Sequence, residues 1–273
     1  MLIDVNSYIG HWPFRRLKGN TCKEQVARMN AAGIDKAVLF NLNGIFYKNV
    51  QSANDELFEA LKENSEYRKR FIPFATINPI YSGWKHDFEE SVKKQGAKGI
   101  RLYPLYHGYE LSNPACIELA KMAKDHNLPI AMALRMVDSR PSSWLDISKE
   151  WALKDTLPLI KAVPDAKYLI LNLANNSNFG AFDKDELSLV RKTQLLMDTS
   201  GRMVMELADM MKNYGSDKFA FGSHYPILDP VTGLLRIETL RPEEVSNADK
   251  EKLCYGNRSE ERRVGKECRS RWS

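Results

Sequence analysis

Residues 98–135 read KGIRLYPLYHGYELSNPACIELAKMAKDHNLPIAMALR, and this stretch decides the fold. Its two ends, KGIRLYP and LPIAMALR, are short apolar runs of strand type. Between them Asn113 stands as an N-cap with Pro114 at the first helical position, so a helix opens there. Strand, helix and strand in that order form a crossover unit whose two strands run parallel.

The same alternation recurs on both sides. Further strand-like runs are LIDVNSY (2–8), KAVLFNL (36–42), FIPFATIN (71–78), KYLILNL (167–173), TQLLMDTS (193–200) and KFAFGSHYP (218–226). Amphipathic segments lie between them. Trp84, Phe88 and Val92 repeat at i, i+4, i+8; Val204, Leu207, Ala208 and Met211 follow i, i+3, i+4, i+7, with Gly215 as the C′ residue. Eight such units in about 250 residues are the usual size of a closed (β/α)8 TIM barrel of the α/β class. An open doubly wound sheet is the alternative, but no Gly-rich phosphate loop follows the first strand. No low-complexity linker divides the chain, so residues 1–257 are expected to form one barrel domain. Its last helix, opened by Ser246 over NADKEKLCYGN, reads as cut short.

Residues 258–273, RSEERRVGKECRSRWS, have no apolar periodicity. They resemble the in-frame translation of a common short-read sequencing adapter, and are read as a non-native tail rather than a basic arm for nucleic acid. The tail carries Arg258, Arg262, Arg263, Lys266, Arg269 and Arg271 against Glu260, Glu261 and Glu267. It thus supplies three of the chain's net charge of +5, and the balance is that of an ordinary soluble protein with no nucleic-acid partner implied. No run approaches the roughly 20 apolar residues of a membrane span, and no secretory leader is legible. Cys22, Cys116 and Cys254 are widely spaced and read as reduced thiols, so a cytoplasmic location without membrane contact is expected.

Four segments carry a resemblance: IDVNSYIG (3–10), KGIRLYP (98–104), FAFGSHYP (219–226) and CYGN (254–257). Together they resemble the amidohydrolase-related family of metal-dependent hydrolases and decarboxylases, over nearly all of residues 1–257. The resemblance implies a TIM barrel with its site at the C-terminal strand ends. Members that hold a metal carry His-x-His on the first strand, one His on each of the fifth and sixth, and an Asp on the eighth. Here Asn6 and Tyr8 take the first two places, Ala133 the fifth-strand place, Asn172 the sixth and His224 the eighth. Amide oxygens and a neutral phenol are weak ligands, and Ala is none. The expectation is therefore no cofactor and no divalent metal. A site rebuilt from His11, His224 and Asp198 is the lesser alternative.

The residues at those strand ends are the candidates for chemistry. His224 suits a general acid or base, because an unperturbed imidazole titrates near pH 6.5. Asp198 could orient its ring. Arg101 and Arg135 could bind a carboxylate or phosphate bidentately, or could simply pair with Asp4 or Asp198. Asn6, Tyr8 and Asn172 could hold substrate by hydrogen bonds, or fill a former metal space. His11 could reach the mouth from the first loop, with Trp12 and Phe14 as walls. Ser200 and Ser223 would lie near His224 in a barrel, so a Ser–His pair is considered, though no nucleophile motif supports it. The reading that follows is a hydrolase of the amidohydrolase type acting on a small anionic molecule. Alternatives are a decarboxylase or other lyase, and a barrel that binds without turnover. A homo-oligomer is compatible with the sequence.

Overall fold

Eight parallel strands hydrogen-bond in sequence order and curl into a nearly closed barrel. They are β1 (Ile3–Ile9), β2 (Lys36–Asn41), β3 (Phe71–Thr76), β4 (Gly99–Leu102), β5 (Ile130–Ala133), β6 (Lys167–Leu171), β7 (Gln194–Asp198) and β8 (Phe219–Ala220). The computed structural model describes residues 1–137, 142–147, 149–173, 182–201 and 204–255, so the tail from 258 lies outside the described residues. Each strand is followed by helix: α1 (Cys22–Ala31), α2 (Val50–Lys62), α3 (Trp84–Glu89), α4 (Pro114–Asp125), α5 (Leu157–Ala162), α6 (Lys184–Lys192), α7 (Val204–Tyr214) and α8 (Pro230–Glu238), with α9 (Asn247–Tyr255) closing the described chain.

All eight strand readings hold. β8 keeps only two residues of ladder, and the segment after it closes the barrel through single bonds to β1. Val5 N donates to Phe221 O (2.9 Å), His224 N to Asn6 O (2.7 Å) and Tyr8 N to Tyr225 O (2.8 Å). Side chains alternate across each strand. Val38 and Phe40, Ala131 and Ala133, and Leu169 and Leu171 join the cluster inside the barrel. Ala37, Leu39, Met132 and Ile170 pack outward against helix residues such as Leu57 and Phe88. Gly99 is demanded by this packing, since a Cβ there would stand 2.3 Å from the Phe74 ring.

The helix at 113–125 opens as its sequence requires, with Asn113 Oδ1 accepting from Ala115 N (2.9 Å) and Pro114 at the first position. The third amphipathic segment differs. The helix runs from Trp84 to Glu89 and then widens to a π-turn over Glu90–Lys94, leaving Val92 only half-buried. Ser91 takes the inward place instead, where its Oγ accepts from Asn54 Nδ2 (3.2 Å). Among the described residues no helix is long and apolar enough to cross a membrane.

Candidate functional site

In a parallel barrel the C-terminal strand ends converge on one side, and the polar side chains of this chain meet there. β1 brings Asp4, Asn6 and Tyr8, and its register against β2 slips between Asp4 and Ser7, a bulge that re-aims the residues around Asn6. Asn6 is fully buried. Its Nδ2 lies 2.7 Å from Asp198 Oδ2 and 2.8 Å from Asn172 Oδ1, with Ser200 Oγ at 3.3 Å and His224 Nδ1 at 3.4 Å. An amide has two hydrogens, so the two shorter contacts are the bonds. Asn6 Oδ1 has no hydrogen-bond partner.

Asp198 ends β7. Its Oδ1 accepts from Asn172 N (2.8 Å) and its Oδ2 from Ser200 Oγ (2.6 Å) as well as Asn6. Burial pushes its carboxyl up to about 6, against the opposing pull of those three hydrogen bonds. Gly222 makes room for it: a Cβ at that position would lie 2.5 Å from Asp198 Oδ2. Asp4 accepts from Asn6 N and Ser223 N (both 2.9 Å) and from Ser223 Oγ. Burial raises it to about 7, again offset in part by the Ser223 hydroxyl and the two main-chain donors.

Asn172 and His224 both hold left-handed backbone, at φ 52° and 59°. Side chains other than Gly seldom adopt that conformation, and such residues gather at functional sites. His224 Nε2 lies 2.6 Å from Met136 O. A carbonyl only accepts, so Nε2 carries the hydrogen and Nδ1 accepts from Asn172 Nδ2 at 3.0 Å. Burial lowers the imidazole to about 3, with the positive fields of Arg101, Arg135 and Arg15 acting the same way and the Met136 carbonyl opposing. The ring is therefore neutral at ordinary pH. Asp198 does not bond to it directly; Asn6 and Asn172 stand between them. Ser200 Oγ lies 2.6 Å from Asp198 Oδ2 and 2.5 Å from Asn172 Oδ1, its one hydrogen serving one of these acceptors at a time, and Ser223 bonds to Asp4, so neither hydroxyl bonds to His224.

Arg101 follows from the alternation of β4, which turns it inward with 0% exposure. Its guanidinium carbon lies 4.5 Å from the Tyr103 ring centre, 4.8 Å from Phe40 and 5.9 Å from Tyr8. Nη2 donates to Tyr8 Oη (3.2 Å) and reaches Met136 Sδ (3.6 Å). Nε and Nη1 have no acceptor, and Tyr103 Oη, though close, makes no well-formed hydrogen bond with them. Among the described residues no carboxylate pairs with this cation, so Asp4 and Asp198 are not its ion-pair partners.

A cleft at the mouth is lined by Tyr103, Tyr106, Ala133, Arg135, Met136 and Glu150 among others. Arg135 is held at its edge by Glu150, 3.3 Å away. His11 is exposed and faces Asn20 and Asn43 instead of the network. Trp12 and Phe14 stack with Phe46 over the mouth. Thus six of the eight sequence candidates meet in one buried group: Asn6, Tyr8, Arg101, Asn172, Asp198 and His224. Sequence reasoning missed Tyr103, Phe40 and Met136. Tyr103 stands two residues beyond Arg101 on the inward face, a signal that was legible; Met136, just beyond β5, had none.

The arrangement defines a (β/α)8 barrel with a buried polar floor and an enclosed cation. No family model and no curated protein matches the chain. Solved structures of the same fold do. A putative amidohydrolase from Staphylococcus aureus aligns with TM-score 0.72 at 18% identity, over 95% of this chain and 98% of that one. A dihydroxybenzoic acid decarboxylase from Polaromonas, with bound manganese and the inhibitor 2-nitroresorcinol, aligns with TM-score 0.71 at 15% identity, over 95% and 96%. A 5-carboxyvanillate decarboxylase from Sphingomonas paucimobilis aligns with TM-score 0.69 at 14% identity, over 95% and 98%. These likenesses establish the fold.

The Polaromonas structure also corrects an expectation. A barrel of this architecture binds manganese there, so the expectation of a protein without cofactor or divalent metal is withdrawn. The donors described here do not themselves fit such an ion. Among the described residues no three His, Cys, Asp or Glu side chains are grouped to hold one. Asn6 and Asn172 turn N–H groups toward Asp198 and His224.

Proposed function

We propose that the protein is an enzyme acting on a small carboxylated compound, bound at the barrel mouth through Arg101. One observation carries this reading: a guanidinium at 0% exposure, ringed by Phe40, Tyr103 and Tyr8, whose Nε and Nη1 have no acceptor. A buried unpaired charge is costly, and a carboxylate is the partner that the guanidinium fork fits. Loss of CO2 is the favoured reaction and hydrolysis the second, because decarboxylases of aromatic acids recur among the fold neighbours. Decarboxylation replaces the C–CO2 bond by C–H, so it needs a proton donor near neutrality. Two buried carboxyls lie near neutrality, Asp4 at about 7 and Asp198 at about 6; we assign the donor role to Asp198, which Asn6 and Asn172 link to His224, while neutral His224 gives its Nε2 hydrogen to Met136 O.

The test is calorimetric titration with benzoate and salicylate, alongside trapping of released CO2 from a panel of hydroxybenzoates. Arg101→Met should weaken binding at least tenfold and abolish release. Undiminished binding by that variant would sink the proposal. A second reading, binding without turnover, is favoured by the closed hydrogen bonding of His224. It would be indicated by saturable binding with no CO2 and no hydrolysis product.

A further inference from the structure

We propose that the Met136 side chain is a displaceable surrogate ligand, which occupies Arg101 until a carboxylated compound exchanges for it. The inference rests on Arg101 being the anion site. Arg101 is on β4 and His224 follows β8, yet both end on this one residue. Arg101 Nη2 is 3.6 Å from Met136 Sδ, and His224 Nε2 is 2.6 Å from Met136 O. A thioether is a weak acceptor for a guanidinium, whereas a carboxylate oxygen would make a charge-assisted bond.

The route to the cation points to the same residue. Tyr103 and Met136 line the cleft and also touch Arg101, while Arg101 does not line it. Among the described residues these two stand between a ligand in the cleft and the guanidinium. Tyr103 continues β4, precedes Pro104 and lies with its ring 4.5 Å from the guanidinium carbon at 2% exposure. Met136 follows β5 on an unbranched, polarizable side chain with several rotatable bonds. Met136 is the one that gives way. Its contacts then compete with the ligand, and apparent affinity is reduced by the fraction of the time that the site is closed.

The experiment is calorimetry of salicylate with the full chain, comparing wild type with Met136→Ala, Met136→Leu and Arg101→Met. The main-chain carbonyl on His224 survives these changes, so the thioether is tested by itself. Met136→Ala should bind at least threefold more tightly than wild type, with a faster association rate by stopped-flow fluorescence. Met136→Leu, which keeps the bulk and secures the fold, should fall between them. Binding by both Met136 variants equal to or weaker than wild type, with Arg101→Met abolishing it, would overturn the surrogate role and leave the anion site standing. Binding that survives Arg101→Met, or no binding by wild type or Met136→Ala, would overturn both.

Discussion

Arg101 shows at the residue scale how function opposes stability. Its charge sits among three aromatic rings, and among the described residues only Tyr8 Oη and a sulfur are its partners. Cation–π attraction offsets part of the desolvation, by about 2 kcal/mol when the pair is dry. Replacing such a cation with an apolar side chain of similar volume is often stabilising. Arg101→Met should therefore raise Tm by a few degrees in differential scanning calorimetry even as it abolishes ligand binding; a fall of several degrees would mean that the guanidinium is structural. Gly222 is the opposite case. A methyl group there meets Asp198 Oδ2, so Gly222→Ala should destabilise by about 1–3 kcal/mol in urea unfolding. A neutral effect would show that the carboxylate has room that the structure does not give it.

The elements carry less function and more legibility. The Asn113–Pro114 opening of α4 was readable because capping is local: one side-chain oxygen meets one main-chain N–H two residues on. Asn113→Ala should cost about 1 kcal/mol of stability, measured as a lower urea midpoint with unchanged slope, and leave binding untouched. The π-turn after Glu89 was not readable, since it brings Ser91 onto Asn54 of α2, a partner distant in sequence. The bulge in β1 and the left-handed backbone of Asn172 and His224 were equally hidden. Each depends on what a neighbouring strand offers, and the chain's own pattern says nothing of that.

For the whole molecule the buried carboxyls set a pH dependence. Asp4 at about 7 and Asp198 at about 6 hold protons in the folded state that the unfolded chain releases near pH 4. The stability they contribute is complete below about pH 4 and is lost as pH rises through 6 to 7. His224 acts oppositely: lowered to about 3, it binds its proton only when unfolded between about pH 3 and 6.5, so its contribution rises with pH over that range. Two groups outweigh one between about pH 4 and 6. Relative to Asp4→Asn, wild type should accordingly lose Tm between pH 5 and pH 8. A gap independent of pH would show that Asp4 stays ionised throughout.

The sequence by itself determined the barrel, all eight strands and six of the residues that meet at its mouth. Apolar periodicity and strand order are repeated along the chain, so many local signals agree on one architecture. Which of those residues touch was decided only by the tertiary structure. Asn6, Asn172, Asp198 and His224 come from four separate segments, and the bond between two side chains depends on barrel closure and angstrom-scale register. The same closure leaves Arg101 without a carboxylate among the described residues, leaves His11 outside the network, and sets Met136 on both Arg101 and His224. Burial then fixes protonation, raising the aspartates and lowering the histidine, because the electrostatic cost of a charge depends on how much water surrounds it.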